Sequence, residues 1–152
     1  MARIDVHLAR FDDLDRRRAY LLWQLRESVF VVEQTCPYPD LDGRDLEAGT
    51  RHVWLEEDHI PVGYVRILED EEQARIGRLL VARTHRGRTL AEALMRSALD
   101  QIGERPSRLD AQSYLADWYQ RFGFEPSGAE FLEDGIPHVP MQRTSQGTRS
   151  HR

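Results

Sequence analysis

The first third of the chain changes from an alternating to a helical spacing of apolar residues. Polar and apolar side chains alternate over residues 4–8, which predicts a half-buried strand. Over residues 14–32 the apolar positions recur every three or four residues, behind Asp12 and Asp13, whose carboxylates suit a helix N-cap. We therefore expect a helix or a pair of helices, ending before Pro37 because proline has no amide hydrogen.

The rest of the chain alternates between short apolar strands and helical segments, separated by turns rich in Gly and Pro. A strand, a helix and a strand in its middle imply a parallel pair with a right-handed crossover. Residues 1–143 are predicted to form a single domain, and the polar residues 144–152 a flexible tail. The predicted elements are strands at 52–56, 62–68 and 74–81, a helix at 90–102, a strand at 109–112, a helix at 115–122 and two strands within 124–142.

The amino-acid composition excludes several kinds of catalytic and metal-binding site. Among the 152 residues the 21 basic side chains are all Arg, so Schiff-base catalysis and a lysine-dependent P-loop are excluded. Codon composition of a GC-rich genome explains the bias without a functional role. The single cysteine, Cys36, excludes an intrachain disulfide and a multi-cysteine metal site.

Charge and hydropathy bear on partners and location. The net charge of −5 gives no electrostatic footprint for nucleic acid. No apolar stretch approaches the length of a membrane span, and the N-terminus shows no signal-peptide pattern. The sequence therefore predicts a cytoplasmic protein with no nucleic-acid or membrane partner.

The turn that leads into the second predicted helix is a candidate phosphate site. A helix N-terminus offers free backbone N–H groups and partial positive charge. Gly87 permits close approach of a ligand to the backbone, and Arg86 and Arg88 carry forked donors. A structural explanation stays equally open, because Thr89 and Glu92 have the spacing of a capping box.

A second candidate is the aromatic segment Trp118-Tyr119-Gln120-Arg121-Phe122-Gly123-Phe124. A helix that ends in Gly and carries several aromatic rings is usually core packing with a C-cap. Tyr119 could instead point into a cleft between the parallel strands. A phenol, with a reference pKa of about 10, can give a proton to a leaving thiolate there.

The succession of strand, Arg-Gly turn, helix, short strand and Tyr119-Gln120-Arg121-Phe122-Gly123-Phe124 resembles the GNAT family of acyl-CoA-dependent N-acetyltransferases. The family's turn pattern Gln/Arg-x-x-Gly-x-Gly/Ala falls on Arg86, Thr89 and Ala91, with Thr89 in place of the central Gly. Thr50-Arg51-His52, the segment 133–138 and a longer signature are similar to the ElaA-type branch of that family. The signature is Arg26-x-x-Val29-Phe30-Val31-Val32-Glu33-Gln34-x-Cys36-Pro37-Tyr38-x-Asp40-x-Asp42-Gly43-x-Asp45-Leu46.

The resemblance implies a mixed α/β fold, in which helices flank a mostly antiparallel sheet and one splayed parallel strand pair admits acetyl-CoA as co-substrate. Backbone groups at the end of the strand 74–81 would pair with the pantetheine arm like an added strand, and the following turn would hold the diphosphate. The implied cofactor-binding residues are Leu79, Leu80, Val81, Arg86, Gly87, Arg88, Thr89, Leu90, Ala91 and Gln112.

The implied reaction is the direct attack of a neutral amine on the thioester, with Tyr119 as the acid for the leaving thiolate. Residues 75–79 carry no carboxylate, although many family members have a Glu on this strand. The general base is therefore open between Glu33, His52, His138 and a water chain.

The acceptor is expected to be an amine of a small molecule or a protein. Arg26, Phe30 and Glu33 share one face of the predicted helix, at positions i, i+4 and i+7, and would line the acceptor pocket together with His52. The structural alternative is a solvated face held by salt bridges. The resemblance also leaves a homodimer open.

The acidic run over residues 40–45 has the residue types of a calcium loop. In an EF-hand, however, Gly is the sixth residue and Glu the twelfth, and here those positions hold Asp45 and Arg51. No metal site is therefore predicted.

Two other functions stay open. A catalytically silent acyl-CoA-binding sensor is favoured by Thr89 and by the missing strand carboxylate. An acyl-homoserine-lactone-synthase-like acyltransferase shares the fold and a similar Arg-x-x-Val-Phe stretch, although such enzymes are usually longer.

Overall fold

The computed structural model describes residues 3–36, 39–87 and 89–144. Pro37, Tyr38, Arg88 and nearly all of the predicted tail lie outside these ranges. The helices and strands are β1 (Ile4–Ala9), α1 (Arg16–Arg26), a π-helical segment (Glu27–Glu33), β2 (Arg51–Glu57), β3 (Ile60–Asp70), β4 (Gln73–Val81), α2 (Leu90–Ile102), β5 (Ser107–Gln112), α3 (Ala116–Gln120), β6 (Glu125–Pro126), β7 (Phe131–Glu133) and β8 (Ile136–Arg143).

The described strands form one eight-stranded sheet in the order β1-β2-β3-β4-β5-β8-β6, with β7 also paired to β8. Every neighbouring pair is antiparallel except β4 and β5, which run parallel and are joined through α2. The predicted mixed, mostly antiparallel sheet with a parallel pair is therefore confirmed.

Two apolar clusters hold the helices on opposite faces of the sheet. On one face, α2 buries Leu94, Met95 and Ala98 against the central strands. On the other, Leu22 of α1 and Phe30 of the π-helical segment pack against buried aromatic and aliphatic side chains of the sheet. Burial of a Leu or Phe side chain contributes roughly 1.5–3 kcal/mol, so both faces stabilise the sheet. No helix within the described ranges is long and apolar enough to cross a membrane.

Several local predictions were wrong. Val6 and Leu8 of β1 are 52% and 42% exposed, because β1 is the sheet edge and α2 packs on β2, β3 and β4. The N-cap of α1 is Asp15, which accepts a hydrogen bond from the Arg18 N–H, while Asp12 and Asp13 lie in a preceding 3-10 turn. The end of the chain forms three strands (β6, β7 and β8) rather than two.

Candidate active site

A cleft opens where the two parallel strands separate. β4 and β5 are paired at Ala74↔Ser107 and Arg75↔Arg108, yet they continue to Val81 and Gln112, respectively. The space between the diverging ends is a cleft of about 440 Å³. Beyond Arg75, no strand of the described residues pairs with the backbone edge of β4 that faces this cleft, so its amide groups can pair with an extended ligand.

A bulge in β4 helps to set the strands apart. Arg78 has a φ of +56°, and the pairing of β4 with β3 shifts its register at this point. Before the bulge Ile76 faces the α2 side of the sheet; after it Leu79 faces that side and Leu80 faces α1. An extra residue in a strand changes which side chains occupy each face, so Arg78 determines the orientation of the β4 end.

Tyr119 lies on this cleft. It packs against the core on the α2 side and makes edge-on contacts with Trp118 and Phe124, at centroid distances of 5.0 and 6.4 Å. Burial, assisted by the phenol of Tyr114, raises the pKa of Tyr119 to about 12. The phenol therefore keeps its proton over the physiological range.

Gln112 and His138 face the cleft from neighbouring strands. They are directly opposed in the pairing of β5 with β8, and both line the cleft. The Nδ1 of His138 is 2.8 Å from the backbone carbonyl oxygen of Ile136, so Nδ1 is the donor in this hydrogen bond. His138 also stacks on Phe131, with ring centroids 5.8 Å apart.

The turn before α2 does not form the capping box that the spacing of Thr89 and Glu92 suggests. Thr89, the N-cap residue, has a φ of +59° and makes no side-chain cap hydrogen bond, whereas a capping Thr has an extended backbone. Glu92 instead accepts hydrogen bonds from Arg96. Gly87 has a φ of +84°, and the first turn of α2 follows at Leu90 and Ala91. Arg88 of the predicted phosphate cradle lies outside the described residues.

Glu33 and Arg86 form a bidentate ion pair, with N–O distances of 2.5 and 2.9 Å. Arg86 also donates from Nε to the Val81 carbonyl oxygen, and its hydrogen bonds to Glu33 lower the pKa of that carboxyl group. Glu33 is consequently next to the predicted diphosphate turn instead of sharing a pocket face with Arg26. The cause is the π-helical winding of residues 27–33, in which hydrogen bonds join i to i+5 and the spacing used to predict a common face no longer applies.

The expectation that Arg26 and His52 contact the acceptor was wrong, because both side chains are 0% exposed. Arg26 donates to Asp40 and Asp45 from a position enclosed by aromatic rings. His52 donates from Nε2 to the Asp45 carbonyl oxygen and accepts from the Tyr64 hydroxyl at Nδ1, which requires a neutral ring. Burial also lowers the pKa of His52. Of the four residues assigned to the acceptor pocket, Phe30 lines the cleft.

The aspartates of the acidic run 40–45 form ion pairs with arginines of the protein. Asp40, Asp42 and Asp45 contact Arg26, Arg66 and Arg78, three guanidinium groups from three different elements. Sequence reasoning missed this cluster. A signal was present, since arginines inside apolar strands need buried carboxylates, and the acidic run lies between the elements that carry them.

A carboxylate was also missed on β5. Asp110 lines the cleft and accepts a hydrogen bond of 2.8 Å from Nη2 of Arg75. The predicted β4 segment has no carboxylate, but its parallel neighbour supplies one at the point where the strands separate. The alternation of polar residues along β5 places Asp110 and Gln112 on the same face.

The comparisons with known proteins agree with this architecture. The profile of the Acetyltransferase (GNAT) domain matches residues 27–145. A UPF0039 protein of Mycobacterium bovis is 51% identical over 143 residues, which are 89% of this chain and 90% of that protein. Protein ElaA of Escherichia coli is 41% identical over 138 residues, covering 86% of this chain and 90% of ElaA.

Solved structures give the same result. An acyl-CoA N-acyltransferase from Pseudomonas aeruginosa superposes with a TM-score of 0.89 at 37% identity, over 93% of this chain and 100% of that one. The crystal structure of Escherichia coli ElaA superposes with a TM-score of 0.88 at 38% identity, over 93% and 99% of the two chains. The chain therefore belongs to the GNAT acetyltransferase family, in its ElaA-type branch, and is an acyltransferase whose donor is a CoA thioester.

Proposed function

We propose that the protein is an N-acetyltransferase that moves an acetyl group from acetyl-CoA directly to an amine of a small molecule or a protein. The observation that carries this proposal is the cleft between β4 and β5, which has a protonated phenol on its wall. Helix α2 follows β4 in the chain and joins the two parallel strands. An amine and a thioester held in one cleft react as an intramolecular pair, so positioning lowers the barrier.

The residues that the sequence assigns to the cofactor would each bind a different part of acetyl-CoA. The pantetheine arm would extend along the unpaired edge of β4 at Leu79, Leu80 and Val81. The diphosphate would accept hydrogen bonds from N–H groups of the turn at 86–91, where the partial charge of α2 is positive. Arg86 adds a guanidinium, and Gln112 offers an amide at the end of β5.

The acid and base have separate positions. Tyr119 donates its proton to the sulfur of CoA as the thioester breaks. Among the groups considered as the base, His138 lines the cleft and, within the described residues, hydrogen-bonds through Nδ1 alone, while Glu33 is engaged by Arg86 and His52 is enclosed in the core. We assign the deprotonation of the ammonium to Nε2 of His138, directly or through water.

Thiol release from acetyl-CoA tests this function. The panel consists of ethanolamine, putrescine, spermidine and a tetrapeptide with a free N-terminus. Tyr119→Phe is expected to lower kcat by at least about 10²-fold, the lower end of the contribution of a general acid, while CoA affinity stays unchanged. Tyr20→Phe is the matched control, because Tyr20 is 68% exposed on α1, and it is expected to keep full activity.

One outcome would contradict the proposed function and another the assignment of Tyr119 as the acid. Binding of acetyl-CoA without turnover of any amine would favour the silent sensor. Full activity of Tyr119→Phe would remove this residue from the mechanism while leaving the transferase activity itself in place.

A further inference from the structure

Two arginines on the wall of the cleft share one carboxylate. Arg66 of β3 and Arg78 of β4 both line the cleft. Asp42 accepts hydrogen bonds of 2.9 Å from each of two guanidinium nitrogens of Arg66, and a third of 3.3 Å from Arg78. The Arg66 side chain is 4% exposed, so this interaction takes place in surroundings that screen charge poorly.

Asp42 is itself held in place by the loop that carries it. Its Oδ1 accepts a hydrogen bond of 3.0 Å from the Arg44 backbone N–H. Gly43, with a φ of +87°, turns the chain between them. The two hydrogen bonds from Arg66 and the one from the Arg44 backbone outweigh burial and keep the pKa of Asp42 well below its usual range, so the carboxylate stays charged. Asp42 does not line the cleft and acts through the two arginines.

The other arginine on the cleft is also paired, because Arg75 donates to Asp110. The described arginines of the cleft wall therefore all have carboxylate partners. The acceptor amine arrives as a cation, since simple ammonium groups have pKa values near 10. A guanidinium without a full partner would repel this cation across the cleft.

Resting on the proposed function, we propose that Asp42 is a positioning and specificity-determining residue, which fixes Arg66 and Arg78 and neutralises them so that cationic amines can enter the cleft. Loss of its charge leaves Arg66 with Asp45 and Arg78 with Asp40, and adds one positive charge to the cleft wall. A dicationic amine is then disfavoured more than a monocationic one.

The test compares Asp42→Asn with the wild type on ethanolamine, which has one charge, and putrescine, which has two. We expect kcat/KM for ethanolamine to fall about 5-fold and that for putrescine at least about 15-fold, given the low screening inside the cleft. The ratio of the two values is expected to return toward that of the wild type in 0.5 M NaCl, because salt screens the added charge. The affinity for CoA is expected to change less than about twofold, since the donor is proposed to bind backbone groups of residues 79–81 and of the turn before α2, whereas Asp42 contacts side chains of Arg66 and Arg78.

Glu47→Gln is the matched control. Glu47 lies in the same loop and loses the same charge on substitution, but it pairs with Arg44 and does not line the cleft. It is expected to leave both kcat/KM values unchanged. Equal losses for the two amines in Asp42→Asn, or a parallel loss in Glu47→Gln, would overturn the assignment to Asp42.

A second measurement does not need turnover. In nuclear magnetic resonance spectra the Nη–H signals of Arg66 and Arg78, the groups that donate to Asp42, are expected to exchange slowly with water in the wild type and faster in Asp42→Asn. Unchanged exchange would overturn the positioning role, even if the wild type turned over none of the amines and the proposed function itself had failed.

Discussion

At the residue scale, oppositely charged and hydrogen-bonding side chains stabilise buried charges of this protein in place of water. Glu56 of β2 is 3% exposed and accepts hydrogen bonds from Arg18 at 2.6 and 3.1 Å and from the Trp54 indole at 2.7 Å. The hydrogen bonds from Arg18 and Trp54 outweigh burial and lower the pKa of Glu56 to about 2. Because Arg18 belongs to α1 and Glu56 to β2, their ion pair also holds α1 against the sheet.

The Glu56→Gln variant tests that link. A carboxyl group whose pKa is lower in the folded state stabilises the fold above its unfolded pKa of about 4.3 and loses that contribution as the pH falls toward 2. The wild type is expected to exceed Glu56→Gln by about 2 kcal/mol in free energy of unfolding at pH 7. The difference should shrink between pH 5 and 2 in urea titrations. A difference that does not vary with pH would show that Glu56 contributes through packing instead.

The raised pKa of Tyr119, about 12, predicts the alkaline side of the rate profile. The activity is expected to rise with pH as the amine loses its proton, and to show no descending limb below about pH 11, because the phenol stays protonated. The measurement is kcat/KM for ethanolamine from pH 6 to 10.5. A decline that begins near pH 9 would contradict Tyr119 as the acid.

At the element scale, two departures from regular geometry shape the site: the bulge at Arg78 and the turn at Thr89. Both residues have positive φ without being Gly. The left-handed conformation costs an L-residue roughly 1–2 kcal/mol, so the strands and helix on either side must hold these two residues in place. Backbone strain of this kind occurs often at functional sites.

Thr89→Gly tests the turn. Glycine adopts this φ without strain and carries no side chain at the residue before α2. We expect CoA affinity to rise several-fold in calorimetric titrations, with little net change in Tm, because the relief of strain is offset by the entropy of the unfolded chain.

Gly87→Ala is the opposite control for this turn. It introduces a Cβ at a φ of +84°, so both CoA affinity and Tm are expected to fall. Weaker CoA binding by Thr89→Gly would show that the threonine side chain itself contacts the ligand.

At the scale of the whole molecule, periodicity predicted the order of the main strands and helices, including the parallel pair around α2. The prediction from periodicity failed where the helix changes from α-helical to π-helical geometry. Residues 27–33 are π-helical, so spacing that was read as one helical face placed Glu33 beside Arg26, whereas the structure separates them. Long-range charge pairing was also invisible to local patterns, since Asp42 and Arg66 are 24 positions apart.

The sequence predicted those site residues that belong to one continuous segment, and it missed those that meet across long distances in the chain. The cleft residue Tyr119 belongs to a continuous motif, whereas the carboxylate of Asp110 meets Arg75 from 35 positions away. The roles of His52 and Arg26 depended on long-range packing, because burial in the core separates both side chains from the cleft.

A crystal structure of the complex with acetyl-CoA tests the central claim most directly. The account predicts the pantetheine arm between β4 and β5, hydrogen-bonded to the backbone of residues 79–81. It also predicts the diphosphate at the turn before α2 and the thioester sulfur within hydrogen-bond distance of the Tyr119 hydroxyl. Acetyl-CoA bound outside this cleft, or with its sulfur remote from Tyr119, would contradict the account.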